Sequence, residues 1–271
     1  MRVLLTSLFL FLLACTPRVA LAWGFEGHRI ICSIAWDEMT DRSRSKVQEI
    51  LGLKTKEQFA EECTWADVYR RDHPQTSPWH FVNVPAGATR IDLRRDCSGP
   101  EGCATSQVEL RIKQLRVHDP SIDKAFALRV LLHSLGDEHQ PLHVTEANGD
   151  KGGNQLHGKF LGKETNFHAV WDSRILAAED RPWQDEAVDL ERKIAPQQRR
   201  RWTSGSHVSW ADESLAISLD PATQYVGQKN GFDLGEDYQR DHLPVVTEQL
   251  SRAGVRLGYL LNDIFAASYR R

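Results

Sequence analysis

The chain has no excess of positive charge: its 271 residues carry 34 Lys and Arg against 37 Asp and Glu. Composition therefore supplies no basic face of the kind that holds nucleic acid without regard to sequence. A site for a polyanion would have to gather positive charge locally, and bound cations are the direct way to do so. Beyond the first residues there is also no stretch long and apolar enough to span a bilayer, so no stable membrane contact is expected. Internal repeats, low-complexity tracts and Asn-x-Ser/Thr sequons are all missing, which excludes a repeat array and leaves an N-linked glycan no acceptor. The spacing of the few cysteines matches no zinc knuckle.

What is present is an ordinary globular composition, 41% hydrophobic and 26% charged, sufficient for one sizeable core. We read residues 1–22 as a signal peptide and residues 23–271 as a single domain. Arg2, the apolar run from Val3 to Ala14 and the small-residue pattern Ala20-Leu-Ala22 make the leader. A competing cut lies before Cys15, where Leu12-Leu-Ala-Cys15 resembles the lipobox of acylated bacterial lipoproteins. The two cuts exclude one another, and cleavage after Ala22 is preferred because Trp23 then begins a motif described below. The mature protein is expected to be secreted or periplasmic, and a monomer. Loss of Arg2 and Arg18 takes two from the 34 basic residues against 37 acidic ones, a net charge of about −5.

Cleavage also removes Cys15 and leaves Cys32, Cys63, Cys97 and Cys103. An even set in an oxidising compartment reads as disulfides, with three possible pairings. Cys97 and Cys103 flank the turn-forming Ser-Gly-Pro-Glu-Gly and are the expected partners; Cys32 with Cys63 would then tie the first helix to the Asp67 segment.

Helices are predicted over 26–39, 43–51, 55–71, 106–117, 123–139, 169–178, 183–201, 206–218 and 239–268, from apolar periodicity and capping residues. The stretch from Asn83 to Gly102 reads as a long loop with a strand at Arg90 to Leu93, and Gln155 to Gly162 with Glu164 to Phe167 as a short hairpin. The fold class is mostly α with a minor β-hairpin.

The chemistry concentrates in His133-Ser-Leu-Gly-Asp137-Glu-His-Gln-Pro-Leu-His143. Residues four apart are neighbours on a helix, so His133 and Asp137 can close on one cation. Pro141 ends the helix, and His143 returns from another direction. A lone His on an apolar helix is more often a satisfied core residue than a ligand, and buried Asp is rare unless paired. Here the company is unusual. Asn166-Phe-His168-Ala-Val-Trp-Asp172 repeats the His-x3-Asp spacing, and Trp65-Ala-Asp67 and Trp79-His80-Phe81 lie upstream. Imidazole and carboxylate without thiolate suit zinc better than magnesium or calcium.

Together, Trp23-Gly-x3-His28, Trp65-Ala-Asp67, His80-Phe81, His133-x2-Gly-Asp137-x2-Gln-Pro-Leu-His143, Gly149-Asp150-x-Gly-Gly-Asn154 and His168-x2-Trp-Asp172 resemble the trinuclear-zinc, single-strand-preferring nucleases and 3′-nucleotidases of nuclease P-one and S-one type. The motifs run in the family's order from the mature start to residue 172, and the missing sequon points to a bacterial member. The resemblance implies the helical phospholipase C and nuclease P-one type of fold, and a zinc-dependent nuclease domain. It also implies three zinc ions: one on Asp67, His80, His133 and Asp137, a second on Asp137, His28 and Trp23, a third on His143, His168 and Asp172. An indole is a donor only, so Trp23 would bind through its terminal amine, whose pKa is about 7.7 to 8.0, and its own carbonyl oxygen.

The implied activity is endonucleolytic hydrolysis of RNA and single-stranded DNA to 5′-mononucleotides, with removal of 3′-phosphates from nucleotides. Two ions roughly 3.5 to 4 Å apart can share a water and yield hydroxide near neutral pH. Asp67 would orient that nucleophile, Asp137 would bridge the ions, and Arg70, one turn from Asp67, would meet the phosphate charge. Phe81 resembles the family's stacking residue and Asn154 its base-edge contact. Asn83 stands where some relatives carry an acidic base-reading residue, so their purine preference does not transfer. The alternatives are a zinc-dependent phospholipase C, which shares the fold, and a non-catalytic secreted zinc-binding protein or lipoprotein. Arg192-Lys193 and Arg199-Arg-Arg201 read as a solvated helix face. His73, His118, His139, His157, His207 and His242 are assigned no role.

Overall fold

The computed structural model describes residues 23–266; the leader and both alternative cleavage points lie outside them. The first helices are α1 (Phe25–Glu38), α2 (Asp41–Leu51), α3 (Lys56–Glu62) and α4 (Trp65–Asp72). Thr40 caps α2 by accepting from Ser43 N, and Thr55 with Gln58 forms a reciprocal box at the start of α3. The single helix expected over 55–71 is broken at Cys63–Thr64. The break frees the Cys63 carbonyl, which accepts from His133 Nδ1 at 2.6 Å.

A 3-10 segment, Pro74–His80, leads to α5 (Leu93–Asp96), α6 (Ala104–Arg116) and α7 (Lys124–Asp137). The strand expected over Arg90 to Leu93 does not form. Asp92 accepts from Arg94 N and starts a helical turn, while Ile91 N is taken by Asp212 Oδ1 at 2.8 Å. After α7 the chain makes a 3-10 turn at Pro141–Val144, because Pro141 cannot extend the helical ladder.

The region expected to be helical over 169–178 consists of α8 (Phe167–Ala169), a π turn at Val170–Arg174, and α9 (Ile175–Ala177). The helix expected over 183–201 is two, α10 (Trp183–Lys193) and α11 (Pro196–Trp202). Pro196 holds Ala195 in an extended conformation, φ −72° and ψ 151°, which breaks the run. The last helices are α12 (His207–Leu219) and α13 (Glu236–Ala266).

The expected hairpin is β1 (His157–Phe160) antiparallel to β2 (Lys163–Asn166), with His157 opposite Asn166. A third strand, β3 (Phe232–Leu234), joins parallel to β1 and gives the order β2-β1-β3. Its three residues are too few to show a period in the sequence.

The architecture is otherwise helical, with α1 packed along α13 and against α3 and α10. The α1–α13 approach is close enough that a Cβ on Gly254 would lie 2.6 Å from Ile34 Cβ, so glycine is required there. Helix α7 contacts α1, α2, α4, α6 and α13. Ten of its residues are buried, Asp137 among them. A smaller apolar cluster of Val82, Val84, Ile91, Val144 and Leu215 lies beneath the 82–91 loop. The disulfides are Cys32–Cys63 and Cys97–Cys103, with Cα atoms 6.2 and 4.9 Å apart, the expected pairing.

Candidate metal centre

Helix α7 is the pillar of the site. Asp123 caps it through Phe126 N at 2.9 Å, and its buried C-terminal turn presents His133 and Asp137 on one face, with His133 Nε2 3.2 Å from Asp137 Oδ2. Helix α4 brings Asp67, whose Oδ1 lies 3.8 Å from His133 Nε2. The Pro74–His80 segment brings His80, whose Nδ1 lies 2.9 Å from His133 Nε2 and 3.2 Å from Asp137 Oδ2. Helix α1 brings His28, its Nε2 3.2 Å from Asp137 Oδ1. Trp23 is buried beside it, its indole Nε1 donating to Gly136 O at 3.0 Å. Gly136 lets the His28 ring approach closely, since a Cβ on it would stand 3.0 Å from His28 Nδ1.

The second half of the site is assembled by two backbone pairings, Val82 N to His143 O at 2.7 Å and Glu146 N to Val84 O at 3.0 Å. They fix His143 beside His80. Across the π turn, His168 Nε2 lies 3.2 Å from Asp172 Oδ2, and His143 Nε2 lies 3.3 Å from Asp172 Oδ1. Three groups thus have ligand atoms within 4.8 Å of one another: His28, His133 and Asp137; Asp67, His80 and His133; His143, His168 and Asp172. All eight are buried. His133 belongs to two groups, and Asp137 Oδ1 also approaches His143 Nδ1, at 3.7 Å.

The hydrogen bonds test whether these side chains fit metal ions. His133 Nδ1 faces Cys63 O at 2.6 Å, His143 Nδ1 faces His80 O at 2.6 Å, and His168 Nδ1 faces Gly152 O at 2.8 Å. A carbonyl only accepts, so each Nδ1 carries the proton and each Nε2 offers a lone pair. Yet His143 Nε2 and His168 Nε2 face one another at 3.1 Å, with carboxylate oxygens of Asp172 beside both. Acceptors converge on one point, as they do around a cation. Asp67 Oδ2, both oxygens of Asp137, Asp172 Oδ2 and both nitrogens of His28 are buried without a hydrogen-bond partner in the chain, a costly arrangement unless positive charge joins them. The donor set fits zinc-type coordination by nitrogen and carboxylate oxygen.

Protonation states follow the same imbalance. Burial, aided by His133, lowers the pKa of His28. Burial pushes His80 down to about 4 despite Asp137. For His133 burial acts downward too, but Asp137 and Asp67 outweigh it and raise the pKa to about 9. Burial opposes ionisation of Asp137, but His133 and His143 hold its carboxyl well below the usual range. Burial likewise opposes ionisation of Asp172, but His168 and His143 draw its pKa down. Asp137 and Asp172 are held as anions in a site whose rings differ in their readiness to be protonated.

A cavity of ≈ 380 Å³ opens onto this centre, lined in part by His80, His143 and His168. Arg70, Phe81, Asn83 and Asn154 also line it, so all the expected substrate-binding residues converge. Arg70 Nη2 donates to Asp67 Oδ1 at 3.0 Å while facing the cavity, combining the ion pair and the cavity position. Asn154 Nδ2 donates to Lys151 O at 3.0 Å. Thr145, Glu146 and Lys151 line the cavity as well and were not singled out from sequence. A larger cavity of ≈ 560 Å³ beside Trp171 and Tyr238 contains none of the metal-centre residues.

Sequence reading also assigned no role to Gln140, whose Nε2 donates to Asp172 Oδ1 and whose Oε1 accepts from Leu142 N. Its place in Gln140-Pro-Leu-His143, between two ligand segments, was the available signal. Glu138 follows Asp137 and is buried; burial raises its pKa, and its Oε1 lies 3.6 Å from His207 Nδ1. His139 is structural, donating from Nδ1 to Leu135 O at 2.8 Å and accepting from Arg256 Nη1 at 3.0 Å.

A mostly helical chain that buries five imidazoles and three carboxylates, in three groups that could hold metal ions, beside one open cavity has the site of a metal-dependent hydrolase. The family model described as S1/P1 nuclease matches residues 23–266, and the chain belongs to that family of nucleic-acid-hydrolysing enzymes. It is 30% identical to Endonuclease 2 of Arabidopsis thaliana, over 98% of each chain. It is 28% identical to Nuclease S1 of Aspergillus oryzae, over 89% of this chain and 91% of that one. With Nuclease P1 of Penicillium citrinum it shares 28% identity, over 89% and 97%. These matches favour a nuclease over the phospholipase C and non-catalytic alternatives.

Proposed function

We propose that this nuclease is a secreted, zinc-dependent phosphodiesterase. It cuts RNA and single-stranded DNA endonucleolytically to 5′-mononucleotides and removes the 3′-phosphate from nucleotides. The observation that carries the reading is the convergence of buried nitrogen and carboxylate atoms from His28, Asp67, Asp137 and Asp172 without hydrogen-bond partners, grouped with His80, His143 and His168, which line the cavity bearing Arg70 and Phe81.

Three zinc ions would account for the ligands. Asp67, His80, His133 and Asp137 would hold one; Asp137, His28 and the terminal amine and carbonyl of Trp23 would hold the second; His143, His168 and Asp172 would hold the third. The indole of Trp23 is committed to Gly136, which leaves its backbone for this task once residues 1–22 are removed, residues 23–271 then acting as one domain. Bound zinc supplies Lewis acidity toward the phosphate and lowers the pKa of water.

The chain supplies the rest. Asp67 Oδ2, free of other partners in the chain, accepts a proton from the attacking water and orients it. The Arg70 guanidinium offers planar donors to the non-bridging phosphate oxygens as their charge rises. Phe81 stacks on a base, and Asn83 and Asn154 meet its edge. A duplex keeps its bases stacked on one another, so only an unpaired base can use Phe81. Two disulfides suit an oxidising compartment, and no helix among the described residues is long and apolar enough to cross a membrane.

The test is to purify the exported protein, determine its N-terminal residue by mass spectrometry and count its metals. Single-stranded RNA, single-stranded DNA, duplex DNA and a 3′-nucleotide are then assayed before and after chelation. An N-terminus at Trp23, about three zinc per chain and chelator-sensitive release of 5′-mononucleotides from single strands are expected. Zinc without turnover of any of these substrates would refute the reading.

A further inference from the structure

Outside the metal centre, helix α4 carries a column of rings. Trp65 stacks on Tyr69 with centroids 4.5 Å apart, and Tyr69 stacks on His73 at 3.7 Å with 6° between the planes. Four-residue spacing aligns the three along one stripe. Phe126 of α7 braces it edge-on, at 5.6 Å from both Trp65 and Tyr69 and 6.1 Å from Trp79. Cations hold the brace in turn: the Arg129 guanidinium lies 5.5 Å over Trp65, and that of Arg111 lies 5.2 Å from both Trp79 and Phe126. Trp65, Tyr69, His73, Trp79 and Phe126 are all only partly buried, so this is not an interior aromatic cluster. Arg129 caps one end of the column and His73 is the other.

The position of His73 matters as much as its stacking. Asp67, Arg70 and His73 follow at three-residue intervals, running from the metal centre, past the cavity lining, to the end of α4. At His73 the chain turns into the Pro74–His80 segment that delivers His80 and Phe81 to the same cavity. The ring plane is fixed by Nδ1, 3.1 Å from Tyr69 O, and one face lies on Tyr69. His73 is half-buried and lies three residues beyond Arg70, which lines the cavity.

We infer that His73 is an outer stacking platform for single-stranded nucleic acid: a second unpaired base of the strand whose phosphate lies at the metal centre continues the Trp65–Tyr69–His73 column. The inference rests on the nuclease reading and adds a subsite to it. A rigid, pre-stacked column loses little freedom when a further ring is added, and stacking accepts any base. A mononucleotide held at Phe81 does not extend to this platform; an oligonucleotide does.

The holoenzyme is compared with His73→Ala and His73→Phe on a short oligothymidylate and on thymidine 3′-phosphate. His73→Ala is expected to raise the KM for the oligomer about tenfold and to lower the oligomer-to-mononucleotide ratio of kcat/KM by the same factor. His73→Phe stacks but cannot bond to the Tyr69 carbonyl, and is expected to keep the wild-type ratio. An unchanged ratio in His73→Ala would overturn the platform. So would a His73→Phe variant as impaired as the alanine one, because His73 would then act only by terminating α4. A wild-type protein that hydrolyses neither substrate would overturn the nuclease reading itself, which distinguishes the two failures.

Discussion

His133 Nδ1 lies 2.6 Å from the carbonyl oxygen of Cys63, and Cys63 is disulfide-bonded to Cys32. The break between α3 and α4 therefore serves the metal centre: it releases a carbonyl from the helical ladder, and the disulfide pins that carbonyl to α1. Because α1 also carries His28, one covalent bridge controls the relative placement of two rings stacked 3.9 Å apart.

Replacing Cys32 and Cys63 together by serine is expected to cost about 3–4 kcal/mol of stability from loop closure, for a bridge spanning 31 residues. It should also lower metal content, since the Cys63 carbonyl that orients His133 is no longer pinned to α1. Removing the Cys97–Cys103 bridge, which spans 6 residues, should cost about 2 kcal/mol by the same account and leave the metals in place. Chemical denaturation and metal analysis of both double variants check the contrast; equal metal content in the two would argue against a role of the first bridge in the site.

Asp137 joins three rings of the first half of the centre and reaches the second through His143 Nδ1, 3.7 Å from its Oδ1. Its Oδ1 lies 3.2 Å from His28 Nε2, and its Oδ2 lies 3.2 Å from His80 Nδ1 and from His133 Nε2. Among the described residues, the rings that Asp172 approaches are His143 and His168. Asp137→Asn is therefore expected to lose two ions and Asp172→Asn one, each with a fall in activity of more than about a hundredfold, since even residues behind the ligands are worth about 10–100-fold. Metal counting by mass spectrometry decides it: loss of one ion in both variants would mean that Asp137 is not shared.

Much of this centre was legible in the sequence because its pieces obey local rules. His133 and Asp137 are one helical turn apart, Pro141 stops the helix, and His168 with Asp172 repeats the spacing. The order of motifs then identified His28, Asp67 and His80 as members, which spacing alone cannot do across a hundred residues. The cavity residues Phe81 and Asn154 were found the same way. What was missed depends on tertiary contacts. The break at Cys63–Thr64 exists for a carbonyl that His133 uses; Asp212 of α12 takes the backbone of Ile91 and forbids the expected strand; β3 exists because β1 offers an edge. The break at Pro196 was visible in principle, but the polar periodicity on either side of it concealed the proline's effect.

Gln140 offers a sharper test of how the centre is held. Its side chain joins the Asp172 carboxylate to the backbone of Leu142, next to His143, so one amide orients two ligands of the same cluster. Gln140→Leu keeps the bulk and removes both bonds. Zinc affinity of the third site should fall about 10–100-fold with little change in the other two. Competition with a chelator should then show one ion leaving early; uniform loss of all three would mean that the variant disturbs the fold as a whole.

Far from the cavity, Glu191 on α10 faces Asp37 on α1. Burial, a hydrogen bond with Asp37 and the charges of Asp37 and Glu38 raise the Glu191 pKa from 4.5 to about 7, against the opposing pull of Lys56. Lys56 Nζ is itself bonded to Asp37, and Arg199 to Glu38 at 2.5 Å, so the cations nearby are already engaged. Below pH 4.5 both folded and unfolded chains keep the Glu191 proton, and its contribution to stability is fully present. As pH rises toward 7 the unfolded chain releases the proton first, so the folded state loses stability across that window, and above it the loss is complete. Glu191→Gln, which cannot ionise, should therefore leave the melting temperature unchanged near pH 4 and raise it at pH 8. Thermal melts of the two proteins across this range check the sign. A variant less stable than wild type at pH 8 would mean that Glu191 is ionised there and held by Lys56, with Asp37 no obstacle to its charge.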